Sequence, residues 1–268
     1  MTRIRLLVAY VGTHYSGWQI QEKPAPPPTV QGFLEMALAR ISGLPLRAYA
    51  SGRTDAGVHA HGQVVHCDVP EAKAGIDWRH SLNALLPDDI RIIQADRACP
   101  GFHARKSALH KTYSYQFWQE SGFVPPHMAP YVWACGPLDS ASMQSALHHL
   151  VGRHDFAGLR NSGTDVESSV RTVLHAELRP QPPCAGYPAH APLLRLTITA
   201  DGFLKQMVRN VAGLLVACGR GKMAPETIPG LLEKRNRQAF PSVTAPPQGL
   251  TLERVAYGDP EPFCQASA

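Results

Sequence analysis

Apolar residues recur along this chain with two periods, one suited to strands and one to helices. Residues 3–11 contain an apolar core stretch and predict a strand, followed by a glycine-rich loop at 12–18 and a proline-rich extended stretch at 24–28. Val30, Phe33, Leu34, Ala37, Leu38 and Ile41 follow the helical i, i+3, i+4, i+7 spacing, so 30–41 reads as an amphipathic helix ended by Gly43 and Pro45. Two strand-like runs come next, 46–52 and 63–69, separated by a loop. A second helix is expected at 77–86, capped by Asp77 and stopped at Pro87, and a fourth strand at 90–95.

The remainder repeats the pattern with longer loops. A strand at 111–118 is followed by a helix at 140–151 begun by Asp139, strands at 171–178 and 193–200, helices at 203–218 and 225–234, and a last strand at 250–257. A proline-rich insertion at 180–192 and a loose tail at 258–268 lie outside these elements. The expectation is an α+β fold of two pseudo-repeated β-α-β-β-α-β halves, 1–108 and 109–268, each an antiparallel sheet with helices on one face.

Composition narrows the class. With 44% hydrophobic and 18% charged residues the chain can bury a sizeable core, which excludes disorder of the whole. Cysteines at 67, 99, 135, 184, 218 and 264 stand singly, against a disulfide framework or a structural zinc site and in favour of a reduced, cytoplasmic setting. The apolar run at 6–11 is too short for a signal peptide, and no stretch, the longest around 211–218, is long enough to span a membrane. A net charge of +5 permits a polyanionic partner without demanding one.

Chemistry concentrates between the second and third expected strands. Ser51-Gly-Arg-Thr-Asp-Ala-Gly-Val-His-Ala-His-Gly62 packs three glycines, one carboxylate, one arginine and two histidines into twelve residues. Glycines allow tight turns and close approach by a ligand. Arg53 lies near enough to Asp55 to favour a charged carboxylate, which without a metal serves as nucleophile or general base. Residue chemistry alone leaves other readings open: Asp55 as a turn cap or surface ion pair, or His59 and His61, with His66 and Cys67 nearby, as metal ligands of a hydrolase.

The segment Ala50-Ser-Gly-Arg-Thr-Asp-Ala-Gly-Val-His-Ala60, followed by Gly62-Gln-Val-Val-His66, resembles the signature of the pseudouridine synthases of the TruA family. Further pieces agree in order: Tyr10-x-Gly-Thr-x-Tyr15-x-Gly-Trp-Gln19, Val30-Gln31 with Leu34-Glu35, Phe102-x-Ala-Arg105, Tyr113-x-Tyr115, His154-Asp155-Phe156, Arg171-Thr172 and Met207-Val-Arg-Asn210. Val11, where the family commonly has an acidic residue, and Thr251, where an aromatic is usual, depart from it.

The resemblance implies a pseudouridine synthase fold whose two sheets join, with an active-site cleft between the halves, acting on uridines 38, 39 and 40 of the tRNA anticodon stem-loop. It assigns the essential aspartate to Asp55, base stacking to Tyr113, and a partner for the carboxylate to Arg209. It also implies a homodimer and neither cofactor nor metal, since the uracil leaving group stays bound and is reused. Taken by itself, Tyr113 could equally pack in the core, and Tyr115 shares that ambiguity. On the expected helix 203–218, Lys205 and Arg209 fall together at i, i+4, a repulsive pair that makes sense against a carboxylate or phosphates, or as solvated charge. Arg53, Arg105, Lys106 and Lys111 are candidate phosphate contacts or solvated charges. The rival reading is a non-catalytic tRNA-binding or tRNA-folding module.

Overall fold

The structure, a computed structural model, describes residues 1–99, 101–161, 163, 167–181, 193–240 and 242–258. The expected insertion at 180–192 and tail at 258–268 lie, from 182 and 259 onward, outside the described residues, as do Cys184 and Cys264. In chain order the elements are β1 (Thr2–Tyr10), α1 (Val30–Ser42), β2 (Tyr49–Ala50), β3 (His59–Val69), α2 (Trp78–Asn83), β4 (Ile90–Arg97) and β5 (His110–Trp118). They continue as β6 (Trp133–Ala134), α3 (Ser140–His148), β7 (Gly152–Asp155), β8 (Val170–Pro180), β9 (Leu193–Ala200), α4 (Met207–Gly219), α5 (Ile228–Glu233) and β10 (Leu250–Ala256). The chain is α+β and forms two compact units, Met1–Lys111 with Leu252–Ala268, and Thr112–Thr251.

In the first unit the strand order is β4-β1-β3-β10, with β2 on β3. Antiparallel register places Ile4 opposite Cys67 and Leu6 opposite Val65. Ile4, Leu6, Val8, Val65 and Cys67 are at most 2% exposed, as are Leu34 and Leu38 of α1. Each such aliphatic side chain contributes about 1.5–3 kcal/mol of burial. Helix α1 follows the expected stripe, with the Thr29 side chain accepting from the Gly32 N–H and Gly43 closing it at φ 79°.

Several boundaries differ from the periodicity for identifiable reasons. The strand expected at 46–52 shrinks to Tyr49–Ala50, because side chains of α1 take its backbone groups: Ala48 N–H donates to Glu35 Oε1 at 2.9 Å, and Gln31 Nε2 donates to the Ala48 carbonyl at 3.1 Å. Strand β3 starts at His59 rather than 63, through pairing of Ala60 with Tyr10. Helix α2 is shorter than 77–86, although Asp77 caps it as expected, and the Asn83 side chain brackets Ile92 of β4 with two hydrogen bonds of 2.9 and 2.8 Å. Most of β10 also belongs to the first compact unit, where halves at 1–108 and 109–268 would leave it in the second. Gly62 explains the attachment: a Cβ there would lie 2.5 Å from the Glu253 carbonyl oxygen, so β10 reaches β3 only because that position is bare.

The second unit orders its strands β5-β9-β8-β7, with the two-residue β6 parallel to β5. Asp139 caps α3 as expected, accepting from the Ala141 N–H at 2.9 Å, but the helix ends at His148 and the next residues form β7, which the pattern does not show. The largest shift is in α4, expected from 203 and observed from Met207. Gln206 stands before it at φ 59°, a left-handed conformation, with its side-chain oxygen accepting from Asn161 Nδ2. A Cβ on Gly213 of α4 would meet the Val243 carbonyl oxygen at 1.8 Å, so the segment after α5 lies directly on the helix backbone.

Candidate active site

The loop between β2 and β3 is held at its base by three groups of one residue. Ser51 N–H donates to the Val64 carbonyl at 2.8 Å, and its hydroxyl donates to Gln63 Oε1 at 2.7 Å. Its carbonyl accepts from Lys111 Nζ at 2.6 Å. Gln63 Nε2 adds a bond to the Gly52 carbonyl at 2.9 Å. Lys111, a candidate phosphate contact from the sequence, turns its ammonium inward instead, and burial with the neighbouring Arg105 pulls it down to about 8.

The tip of the loop rests on the glycine-rich segment after β1. Trp18 N–H donates to the Thr54 carbonyl at 3.1 Å, Gly57 N–H to the Tyr15 carbonyl at 3.3 Å, and the hydroxyls of Tyr10 and Thr54 lie 2.8 Å apart. Two glycines of the segment make this approach possible. A Cβ on Gly12 would lie 2.0 Å from the Val58 carbonyl oxygen, and one on Gly17, at φ 89°, 2.6 Å from that of Thr54. Asp55 then opens a turn closed by Val58 N–H on its own carbonyl at 3.2 Å, with Gly57 at φ 78° in the position where a type II turn needs positive φ. The Asp55 side chain is half-buried and Arg53 is exposed, on a backbone fixed on both sides.

The histidines are engaged locally. His59 is buried, and its Nδ1 accepts from the Gly12 N–H at 3.1 Å, while His61 is exposed with Nδ1 2.9 Å from Glu253 Oε2. His66 is buried, stacked on Tyr49 at 5.1 Å, and accepts from the Ala104 N–H at 3.2 Å; burial, then Arg3, lowers it to about 4. Among the described residues no group of three or more His, Cys, Asp or Glu is arranged to hold a metal ion.

In the second unit Tyr113 is buried on β5, its ring edge-on to Phe203 at 5.1 Å. Tyr115 belongs to the core, fully buried, its hydroxyl donating to the Pro246 carbonyl at 2.8 Å, and Gly249 is bare where a Cβ would meet its ring at 2.6 Å. Arg209 is half-buried on α4 and clasped to Ala245, its Nε donating to the Ala245 carbonyl at 2.7 Å while Ala245 N–H donates to the Arg209 carbonyl at 3.1 Å. Lys205 lies before the helix begins, so the i, i+4 pairing expected from the sequence does not form there. Sequence reasoning missed the role of Asn210 beside it. Fully buried, its Nδ2 donates to the Leu159 carbonyl and Asn161 Oδ1, both at 2.9 Å, and its Oδ1 accepts from the Thr244 hydroxyl at 2.7 Å. The signal available was a polar residue inside an apolar helix stripe, which has to be satisfied somewhere.

A family model described as tRNA pseudouridine synthase matches residues 6–105 and 146–258. The chain is 46% identical over 260 residues to the tRNA pseudouridine synthase A of Maridesulfovibrio salexigens, covering 97% of this chain and 92% of that one. It is 47% identical over 291 residues to that of Nitratidesulfovibrio vulgaris Hildenborough, covering 96% and 97%. Against that of Geobacillus kaustophilus the identity is 40% over 260 residues, covering 96% and 95%.

Proposed function

Because the chain belongs to the tRNA pseudouridine synthase family and is therefore an isomerase acting on tRNA, we propose that it converts uridine to pseudouridine at positions 38, 39 and 40 of the anticodon stem-loop, with Asp55 as nucleophile. The observation that carries the assignment is the setting of Asp55: a half-buried carboxylate on a turn whose backbone is fixed by Ser51 at one end and by Tyr10, Tyr15 and Trp18 at the other. A nucleophile has to be held to within a fraction of an ångström, and rigid loop ends supply that.

The reaction conserves its atoms. The C1′–N1 bond of uridine breaks, the retained uracil turns, C1′ bonds to C5, the C5 proton leaves and N1 takes one up. The carboxylate is regenerated, so no net oxidant, reductant or cofactor enters. The target base must first leave the stack, at a few kcal/mol. Tyr113 offsets that by stacking, and Arg53 and Arg209 bind the substrate as cations. A cytoplasmic homodimer belongs to the same reading.

Release of tritium from tRNA labelled at uridine C5 tests it, comparing the parent with Asp55→Asn. Release by the parent and none by the variant supports the nucleophile. Equal release by both removes Asp55 from that role, and no release by the parent favours a tRNA-binding or tRNA-folding module. Insensitivity to chelators separates the synthase from a metal-dependent hydrolase.

A further inference from the structure

Lys111 and Gly52 form a joint that neither the signature nor the reaction explains. The ammonium donates to the Ser51 carbonyl oxygen at 2.6 Å, a short hydrogen bond from a charged donor. It gets there across Gly52, where a Cβ would stand 2.8 Å from Nζ. Gly52 is not among the glycines with positive φ, so its backbone does not require glycine, and what a side chain there would meet is the Lys111 ammonium, which would have to move aside. A lysine charge brought in from water is unfavourable unless it is used, and an apolar side chain would fill the position at lower cost.

We propose that Lys111 is a positioning residue for the Asp55 loop, acting through the Ser51 carbonyl. This inference rests on the reading of Asp55 as nucleophile. The N–H and hydroxyl of Ser51 are bound by β3, and Lys111 supplies the third restraint from the start of β5, 60 positions along the chain. With that restraint gone Ser51 keeps its two bonds to β3 and Gly52 the one from Gln63, but the Ser51 carbonyl is no longer held, and the carboxylate four residues on loses its aim. A misplacement of about 1 Å can lower turnover roughly a hundredfold without weakening binding. The absence of a side chain at Gly52 serves the same end, keeping open the channel through which the ammonium reaches the carbonyl.

The test is a double-mutant cycle on Lys111→Ala and Gly52→Ala, read by tritium release under single-turnover and steady-state conditions and by thermal unfolding. Lys111→Ala is expected to lower kcat about 10- to 100-fold with KM within about twofold of the parent. Gly52→Ala should act similarly, because its methyl group displaces the ammonium, and it should add little in the Lys111→Ala background. Should Lys111→Ala fail to fold, Lys111→Met keeps the aliphatic stem and takes its place in the cycle. Parent-like kcat in the folded Lys111 variant, or a Gly52→Ala penalty undiminished in the Lys111 background, overturns the positioning role while leaving Asp55 in place. No release by the parent itself overturns the catalytic reading, and this inference with it.

Discussion

The hydroxyls of Tyr10 and Thr54 lie 2.8 Å apart in the interior of the first unit, and this contact ties β1 to the residue before Asp55. Burial pushes the Tyr10 phenol up to about 12, so it stays protonated across the working range and can always serve the bond. Tyr10→Phe leaves the Thr54 hydroxyl buried with one partner fewer. It is expected to destabilise the protein by about 1–2 kcal/mol in urea unfolding, with a several-fold fall in turnover.

Gly17 and Gly43 separate two effects of the same substitution. Both have positive φ, 89° and 79°, but a Cβ on Gly17 would meet the Thr54 carbonyl at 2.6 Å, whereas nothing lies within 4 Å of one on Gly43. Gly43→Ala should therefore cost only backbone strain, about 1 kcal/mol, with activity retained. Gly17→Ala should cost more and abolish tritium release, because the loop carrying Asp55 must lift. Equal losses in the two variants would contradict the close approach.

His66 gives the fold a defined acid response. Burial, then Arg3, lowers its folded value to about 4 from the ordinary 6.5, so below 6.5 the unfolded chain takes up a proton that the folded one refuses. The stability associated with neutral His66 is fully present above pH 6.5, falls between 6.5 and about 4, and levels off below. His66→Phe should flatten that part of a plot of unfolding midpoint against pH, and an unchanged slope would assign the response to other groups.

Asn210 is fully buried among the Leu159 carbonyl, Asn161 and Thr244. Asn210→Ala leaves those groups without it in the interior, a loss of about 3 kcal/mol in equilibrium unfolding. Because the neighbouring Arg209 is clasped to Ala245, next to Thr244, turnover is expected to fall further than KM rises.

Tyr113 is assigned a stacking role, for which the ring matters and the hydroxyl does not. Tyr113→Phe is expected to keep KM for tRNA within about threefold, while Tyr113→Ala raises it by 10-fold or more, following the roughly 1–3 kcal/mol of a base–aromatic stack. Comparable effects in both variants would point to the hydroxyl instead.

Much of this is legible in the sequence where local rules decide. The stripe of α1, the Asp77 and Asp139 caps and the glycine-rich loop around Asp55 follow from spacing and turn chemistry. The rest depends on residues far away in sequence. Strand β2 is cut short by Gln31 and Glu35 of α1, and α4 begins late because Gln206, which no helix pattern disfavours, is turned left-handed beside Asn161. Lys111 reads as a surface cation until Ser51 accepts from it, and Tyr113 and Tyr115 look alike until Gly249 is found against only the latter. Strands as short as β6 and β7 carry no periodicity to detect.

The attachment of β10 beside β3 has a consequence for how the protein is made. His61 and Glu253, which meet across this join, stand 192 positions apart, so the loop carrying Asp55 leads into a sheet that a ribosome cannot finish until residue 253 has been translated. Until then the edge of β3, the strand that follows the Asp55 loop, stays open to other strands and exposed to aggregation. So large a sequence separation slows closure further, because the entropy of the intervening chain is lost before the pairing returns anything. Completion of this sheet therefore comes late in biogenesis, and truncation before residue 250 removes β10 from it even though Asp55 and its loop have long been synthesised.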